Sequence, residues 1–239
     1  MIDTHCHLLP DMDDGAADMS EAAAMAALAV REGITAVCCT PHLYPREQAK
    51  PARFYAARDR CLAELQAALA ERGIPLRLYA GAEVYLSDDI FYAGDLQPAA
   101  LNGGRHLLVE FTTRALRLFR ARQYIEEVRR RGFIPVLAHA ERYPLAQRDP
   151  ELLYALAEEG CLLQINVDSL AGQAPPQNVR LAWMLARDGV AALLATDAHN
   201  MAHRPPLFAS VRCAFPAELT AAQLHDMSEA AAERVLGAH

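Results

Sequence analysis

Met1-Ile-Asp-Thr-His5-Cys-His7 is a short apolar and β-branched run that ends on two histidines one residue apart. Residues i and i+2 of an extended strand project to the same face, so His5 and His7 can grip one ion while Cys6 turns away. Thr196-Asp197-Ala-His199 repeats that spacing near the far end of the chain. Between them lie apolar runs near residues 34–39, 76–82, 107–111, 134–138 and 161–166, and a last one near 191–196. They are nearly continuous in apolar residues rather than alternating, the pattern of a parallel sheet buried on both faces.

Helical stretches near 20–32, 51–72, 117–131, 150–159, 176–188 and 220–236 separate most of these runs, and 85–105 has room for one short helix. Asp18-Met-Ser-Glu21 reads as a capping box, and Pro51 suits a first helical turn. Gly33, Gly73, Gly132, Gly160 and Gly189 stand where helices stop before the next strand. Seven βα units without a linker predict an α/β fold, one closed barrel in a single domain over residues 1–239. The alternative is an open doubly wound sheet, but no glycine-rich phosphate loop follows the first strand.

Composition removes several function classes. Of 239 residues, 53% are hydrophobic and 22% charged, enough apolar surface for a core. A net charge of −7 argues against coating nucleic acid or anionic lipid, which relies on a basic surface that releases counterions. Lys50 is the only lysine among 23 basic residues, so no Gly-Lys-Ser/Thr phosphate loop and no late-strand Schiff-base or carbamate lysine exists. The six cysteines form no CxxC pair, and none has an arginine six positions later. A thiolate phosphatase loop is therefore absent, and the cysteines read as small buried hydrophobes. With no basic-plus-apolar leader and no apolar stretch of about 18 residues, a reduced, cytoplasmic protein without membrane insertion is expected.

The ionisable residues fall at strand ends. His5 and His7 end the first run, His42 follows the second, Glu83 ends the third, Glu110 the fourth, His139 the fifth, and Asp197 with His199 the seventh. In parallel α/β folds the carboxyl ends of the strands share one rim, where reactive groups gather. Asp14, in Asp13-Asp14-Gly15, is either a further ligand or part of a turn, since Asp-Gly is also a turn signal. Five histidines and four acids exceed one tetrahedral ion and suit two or three divalent metals. Mixed imidazole and carboxylate ligation without thiolate suits manganese, iron or zinc. The chemistry indicated is metal-assisted hydrolysis. Arg142 and Arg204 should reach the same rim, where guanidinium forks match phosphate oxygens; the alternative is pairing with nearby acids, Glu141 for Arg142. His106, His203, His225 and His239 lack a strand-end placement.

The ordered set of His5-Cys-His7, Asp13-Asp14-Gly15, Thr40-Pro-His42, Gly81-Ala-Glu83, Val109-Glu110-Phe111, Ala138-His139-Ala-Glu-Arg142-Tyr and Thr196-Asp197-Ala-His199-Asn resembles the polymerase and histidinol phosphatase (PHP) superfamily. Within it, the likeness is to the bacterial manganese-dependent protein-tyrosine phosphatases of capsule and exopolysaccharide synthesis. It runs from Met1 into the final helix. The resemblance implies a distorted (β/α)7, TIM-like barrel and a three-metal cluster on His5, His7, Asp14, His42, Glu83, Glu110, His139, Asp197 and His199. It also implies that Arg142 and Arg204 hold the substrate phosphate, while a hydroxide generated on the metals attacks phosphorus in line. Manganese is the expected metal. The implied partner is a phosphotyrosine protein, an autophosphorylating bacterial tyrosine kinase that governs polysaccharide polymerisation or export. His203 is carried as a further substrate contact, and His203 or His199 as a proton donor to the leaving group.

Two stretches depart from the pattern. Leu43-Tyr44-Pro45 after His42 would shape the entrance, and Gln164-Ile-Asn166-Val-Asp168-Ser169 replaces an expected small-residue turn. The rival readings are a histidinol-phosphate phosphatase of the same superfamily, a TatD-like deoxyribonuclease, an amidohydrolase and a metal-holding scaffold without activity. Asp-Asp-Gly, His199 and the acidic balance disfavour the nuclease, and Glu110 stands where an amidohydrolase carries its bridging lysine.

Overall fold

The computed structural model describes residues 1–45, 51–112 and 118–237; Lys50, His239 and the first residue of the helix predicted from 117 lie outside these. Among the described residues, all strands pair in parallel and form two sheets. One has the order β1 (Ile2–Cys6), β2 (Ala36–Cys39), β4 (Arg77–Ala80). The other runs β3 (His42–Leu43), β5 (Glu83–Leu86), β6 (His106–Phe111), β7 (Ile134–Leu137), β8 (Leu162–Asn166), β9 (Ala191–Ala195). The α/β reading with a parallel sheet is borne out.

Backbone hydrogen bonds join the two sheets, and β3 and β5 are strands that lie beyond the predicted runs 34–39 and 76–82. Thr40 and Pro41 separate β2 from β3, because Pro41 has no N–H to offer a ladder. Gly81 and Ala82 separate β4 from β5; a Cβ on Gly81 would lie 2.9 Å from both Cys38 Sγ and a Leu101 methyl. Backbone bonds bridge both breaks, Gly81 N–H to Cys39 O at 3.0 Å and Glu83 N–H to Pro41 O at 3.1 Å. At the other margin β1 meets the segment after β9, with Asp197 N–H donating to His5 O at 2.9 Å and His7 N–H to Ala198 O at 2.8 Å.

Helices α1 (Met19–Arg31), α2 (Pro51–Glu71), α3 (Leu118–Arg130), α4 (Pro144–Arg148), α5 (Glu151–Glu158), α6 (Val167–Leu170), α7 (Pro176–Arg187), α8 (Ala221–His225) and α9 (Ala231–Leu236) connect or follow the strands. In α1 the residues Ala22, Met25, Ala26 and Ala29 are buried, an i, i+3, i+4, i+7 stripe against the sheet. Asp18 caps it by accepting from Glu21 N–H at 2.9 Å, but the Glu21 carboxylate bonds Ala17 N–H rather than closing the box on Asp18. Pro51 opens α2, and all five predicted stop glycines have left-handed backbone. Three corrections apply to the helices. The region 85–105 holds three 3-10 turns (Asp88–Tyr92, Gln97–Ala99, Leu101–Gly103) instead of one helix. The stretch 220–236 is helical as predicted but carries a π segment at Asp226–Ala230, and α4 and α6 were not anticipated. Leu107, Leu108, Val136, Leu163 and Leu193 are wholly buried, each such side chain contributing about 1.5–3 kcal/mol. No helix among the described residues is long and apolar enough to cross a membrane, and the six cysteines are unpaired.

Candidate metal centre

Glu83, at the start of β5 and 1% exposed, is the hub of the site. Its Oε1 lies 3.0 Å from His139 Nε2. Its Oε2 lies 3.0 Å from His42 Nδ1, 3.3 Å from His5 Nε2 and 3.4 Å from His7 Nε2. Glu110 approaches His42 Nδ1 at 3.3 Å, and Asp197 Oδ1 approaches His5 Nε2 at 3.3 Å. Asp14 stands at the mouth, its side chain 69% exposed, with Oδ1 3.5 Å from Nε2 of both His42 and His199. All nine residues singled out in the sequence therefore meet in one cluster, although Glu83 opens β5 instead of ending the third predicted run. Cys6 turns away, its thiol towards Ala198 O. His106 bonds Val235 O from the opposite end of β6, and His225 ends α8, away from the cluster. His203 is exposed and does not join the cluster; its backbone N–H bonds the Asn200 side chain.

Local backbone explains how the ligands arrive. His139 and Asp197 both have left-handed backbone, with φ of 35° and 52°, which turns each side chain into the bowl at a strand end. Gly15 lets the loop after β1 fold back, since a Cβ there would lie 2.2 Å from His7 O.

Three groups could each hold a cation: His7, Asp14, His42 and His199; His5, His7 and Glu83; His42, Glu83 and Glu110. Within each, the donor atoms lie within 4.8 Å of one another. The donors fit a metal on a further ground. Glu83 Oε2 and His42 Nδ1 are buried and lie 3.0 Å apart, yet neither meets a partner with hydrogen-bond geometry, a costly arrangement unless a cation satisfies both. The charge balance agrees. Burial opposes charge on His7 and His42, yet Asp13, Glu83 and Glu110 outweigh it, lifting His7 to about 9 and His42 to about 11. His199 goes the other way, down to about 4, through burial and the nearby His7, with Arg204 adding to the effect.

Arg142 does not pair with Glu141. That carboxylate is buried and accepts from Ser169 Oγ at 2.7 Å. Arg142 instead donates to Asp197 Oδ2 at 2.9 Å, and Arg204 donates to the same oxygen. Both guanidiniums line a cavity of about 400 Å³ whose wall includes His42, Glu110 and Asn178. Tyr44, expected at the entrance, has its ring 5.6 Å from that of His42.

Sequence reasoning missed Asp13, Gln164 and Asn166 as parts of the site. Asp13 accepts from His7 Nδ1 at 2.7 Å and from His42 N–H at 2.9 Å. Burial raises its carboxyl, but the His7 bond and charge prevail and bring it to about 2. Gln164 contacts His5 and His139, and Asn166 contacts Asp197. The i, i+2 spacing of Gln164 and Asn166 was the available signal, the same spacing that exposed His5 and His7.

Residues 1–236 match the family model described as capsular polysaccharide synthesis, CpsB/CapC. The tyrosine-protein phosphatase YwqE of Bacillus subtilis (strain 168) is 36% identical over 211 residues, covering 85% of this chain and 79% of its own. The tyrosine-protein phosphatase CpsB of Streptococcus pneumoniae is 28% identical over 213 residues, covering 86% of each chain. A crystal structure described under YwqE from Bacillus subtilis and CpsB from Streptococcus pneumoniae, metal-dependent tyrosine phosphatases, is similar with a TM-score of 0.80 at 31% identity, covering 99% of this chain and 94% of that one. The phosphotriesterase homology protein of Escherichia coli shares the fold alone, with a TM-score of 0.61 at 11% identity and 98% coverage of both chains. A rim of imidazoles and carboxylates built on parallel strands, in a chain matched almost from end to end, thus belongs to the CpsB/CapC family of capsular polysaccharide synthesis.

Proposed function

We propose that this chain is a metal-dependent protein-tyrosine phosphatase acting in the cytoplasm on an autophosphorylating tyrosine kinase of capsule or exopolysaccharide synthesis. The observation that carries the reading is that Arg142 and Arg204 converge on one oxygen of Asp197 while its other oxygen faces His5 and His7. Cation-binding and anion-binding groups thus share a carboxylate. We read the two sheets as one distorted (β/α)7 barrel in a single domain, with β2–β3 and β4–β5 as bent strands and the β1–β9 bonds closing the ring.

His5, His7, Asp14, His42, Glu83, Glu110, His139, Asp197 and His199 would hold two or three divalent ions, manganese first, with iron or zinc as alternatives. When bound, such ions lower the pKa of water towards neutrality and offset charge on phosphoryl oxygens. Arg142 and Arg204 each spend one donor on Asp197 and keep the rest of the fork for phosphate oxygens, so they seat the phosphate beside the ligands. Cys6, which lies between the two histidines, is no rival nucleophile, because its thiol turns to Ala198 O and burial pushes it up. The leaving phenolate, with a pKa of about 10, departs without a strong acid. His199, held neutral, is suited to ligation rather than proton donation.

The deciding assay compares a phosphotyrosine peptide with histidinol phosphate, in chelator and with added Mn²⁺. Chelator-sensitive, Mn²⁺-restored hydrolysis with preference for the peptide is expected; preference for histidinol phosphate defeats the assignment.

Proton competition gives a second expectation. His7 lies at about 9 in the folded protein against an ordinary 6.5. Its stabilising charge is fully present below 6.5 and is lost as pH rises through about 9. An incoming ion must displace that proton. Mn²⁺ affinity, titrated calorimetrically without oxygen, should therefore rise from pH 6.5 to 8.5, by up to about tenfold per unit for each proton released. A flat profile would contradict the assigned ligands.

A further inference from the structure

We infer that Gln164 and Asn166 are positioning residues that fix the tautomer of His5 and tie the metal side of the site to the phosphate-binding arginines. The inference rests on the reading proposed above. Both residues lie on β8, two positions apart, 0% and 3% exposed.

The hydrogen bonds have only one consistent polarity. His139 N–H can only donate, and it meets Gln164 Oε1 at 2.9 Å, so that atom must be the amide oxygen. His5 Nδ1 faces the same oxygen at 3.0 Å and must carry its proton. His5 Nε2 is then left with a lone pair directed at the carboxylates of Glu83 and Asp197, where a cation would sit. The remaining end of Gln164 is an NH2 group, which donates to Asn166 Oδ1 at 2.7 Å. That fixes the second amide, whose Nδ2 donates to Asp197 Oδ2 at 3.0 Å. The same Oδ2 receives Arg142 and Arg204. One backbone N–H therefore dictates the sense of a relay that touches His5, His139 and Asp197. Two of these three have left-handed backbone, so the relay also holds the ligands whose main chain is least favourable.

Three variants separate this role from plain packing. Gln164→Leu removes the acceptor of two donors, and Mn²⁺ affinity should fall about 10–100-fold. Gln164→Glu keeps an oxygen for His139 N–H and His5 Nδ1–H, so Mn²⁺ binding should be at least as tight as in the wild type. Its other oxygen, however, turns the Asn166 amide over and sets Oδ1 against Asp197. Inorganic phosphate should then bind the Mn²⁺-loaded Gln164→Glu protein about tenfold more weakly. Asn166→Ala should match Gln164→Glu, with Mn²⁺ binding retained and phosphate binding weakened. Calorimetric titrations of Mn²⁺ alone, and then of phosphate, read both quantities without any turnover assay. If Gln164→Leu binds Mn²⁺ like the wild type, or if Gln164→Glu and Asn166→Ala leave phosphate affinity unchanged, the inference fails while the functional reading stands. A wild-type protein that binds no Mn²⁺ overturns both.

Discussion

Glu83→Gln should abolish most phosphotyrosine hydrolysis, by at least about 10³-fold, and should also erase the stabilisation conferred by Mn²⁺. Both oxygens of Glu83 are committed to four imidazoles from three places in the chain, His5 with His7, His42 and His139. An amide of the same shape removes the negative charge and turns an NH2 towards nitrogens that must present lone pairs. Loss of several kcal/mol of charge stabilisation corresponds to about three or more orders of magnitude in rate. For the wild type, Mn²⁺ at a hundred times its dissociation constant should add about 2.7 kcal/mol of stability. Thermal unfolding with and without Mn²⁺ measures this directly. A Glu83→Gln protein that keeps the Mn²⁺-induced shift and a rate within tenfold of wild type would remove Glu83 from the centre of the site.

Asp197→Asn should be nearly as damaging, for a different reason. Asp197 Oδ2 accepts from Arg142, Arg204 and Asn166, while Oδ1 faces the imidazoles of His5, His7 and His199. Burial works against its charge, but His5, Arg204 and His139 hold the carboxyl well below the usual range. Asparagine leaves the two guanidiniums without their shared counter-charge, and its NH2 group either meets the donors of Arg142, Arg204 and Asn166 or replaces the oxygen that faces the His5 lone pair. Breaking a buried charge pair typically costs about 3–5 kcal/mol. The metal-free variant should therefore unfold at visibly lower denaturant, and kcat/KM for a phosphotyrosine peptide should drop about 10³-fold with a raised KM. An unchanged KM would mean that the arginines do not depend on Asp197 for their placement.

Part of the ligand set was legible because strand periodicity is local: His5 and His7 declare their shared face within three residues. Asp197, in contrast, lies past the end of β9 with left-handed backbone and reaches the bowl by a turn that its strand-like spacing with His199 does not describe. The common rim followed from parallel strands, which send every carboxyl end the same way. What stayed hidden depended on pairing across the chain. Gln164 gains its role only because β8 brings it under the His139 backbone, and Asp13 only because a loop folds back on Gly15. Glu141 was the natural partner for Arg142 by proximity in sequence, but the turn after β7 buries it against Ser169 and leaves the arginine to Asp197. The crowding at Gly81 was likewise invisible, because Cys38 and Leu101, which leave no room for a Cβ there, come from distant parts of the chain.

The bonds between His5, His7 and the segment after β9 have a consequence for biosynthesis. The two edges that complete the ion cage are separated by 192 residues at Cys6 and Ala198, so their meeting is a non-local contact with a large loop-closure cost. A nascent chain halted before its seventh βα unit carries most of the imidazoles but has no Asp197 to gather the guanidiniums. The full cage therefore exists only in a chain that carries both β1 and the segment after β9.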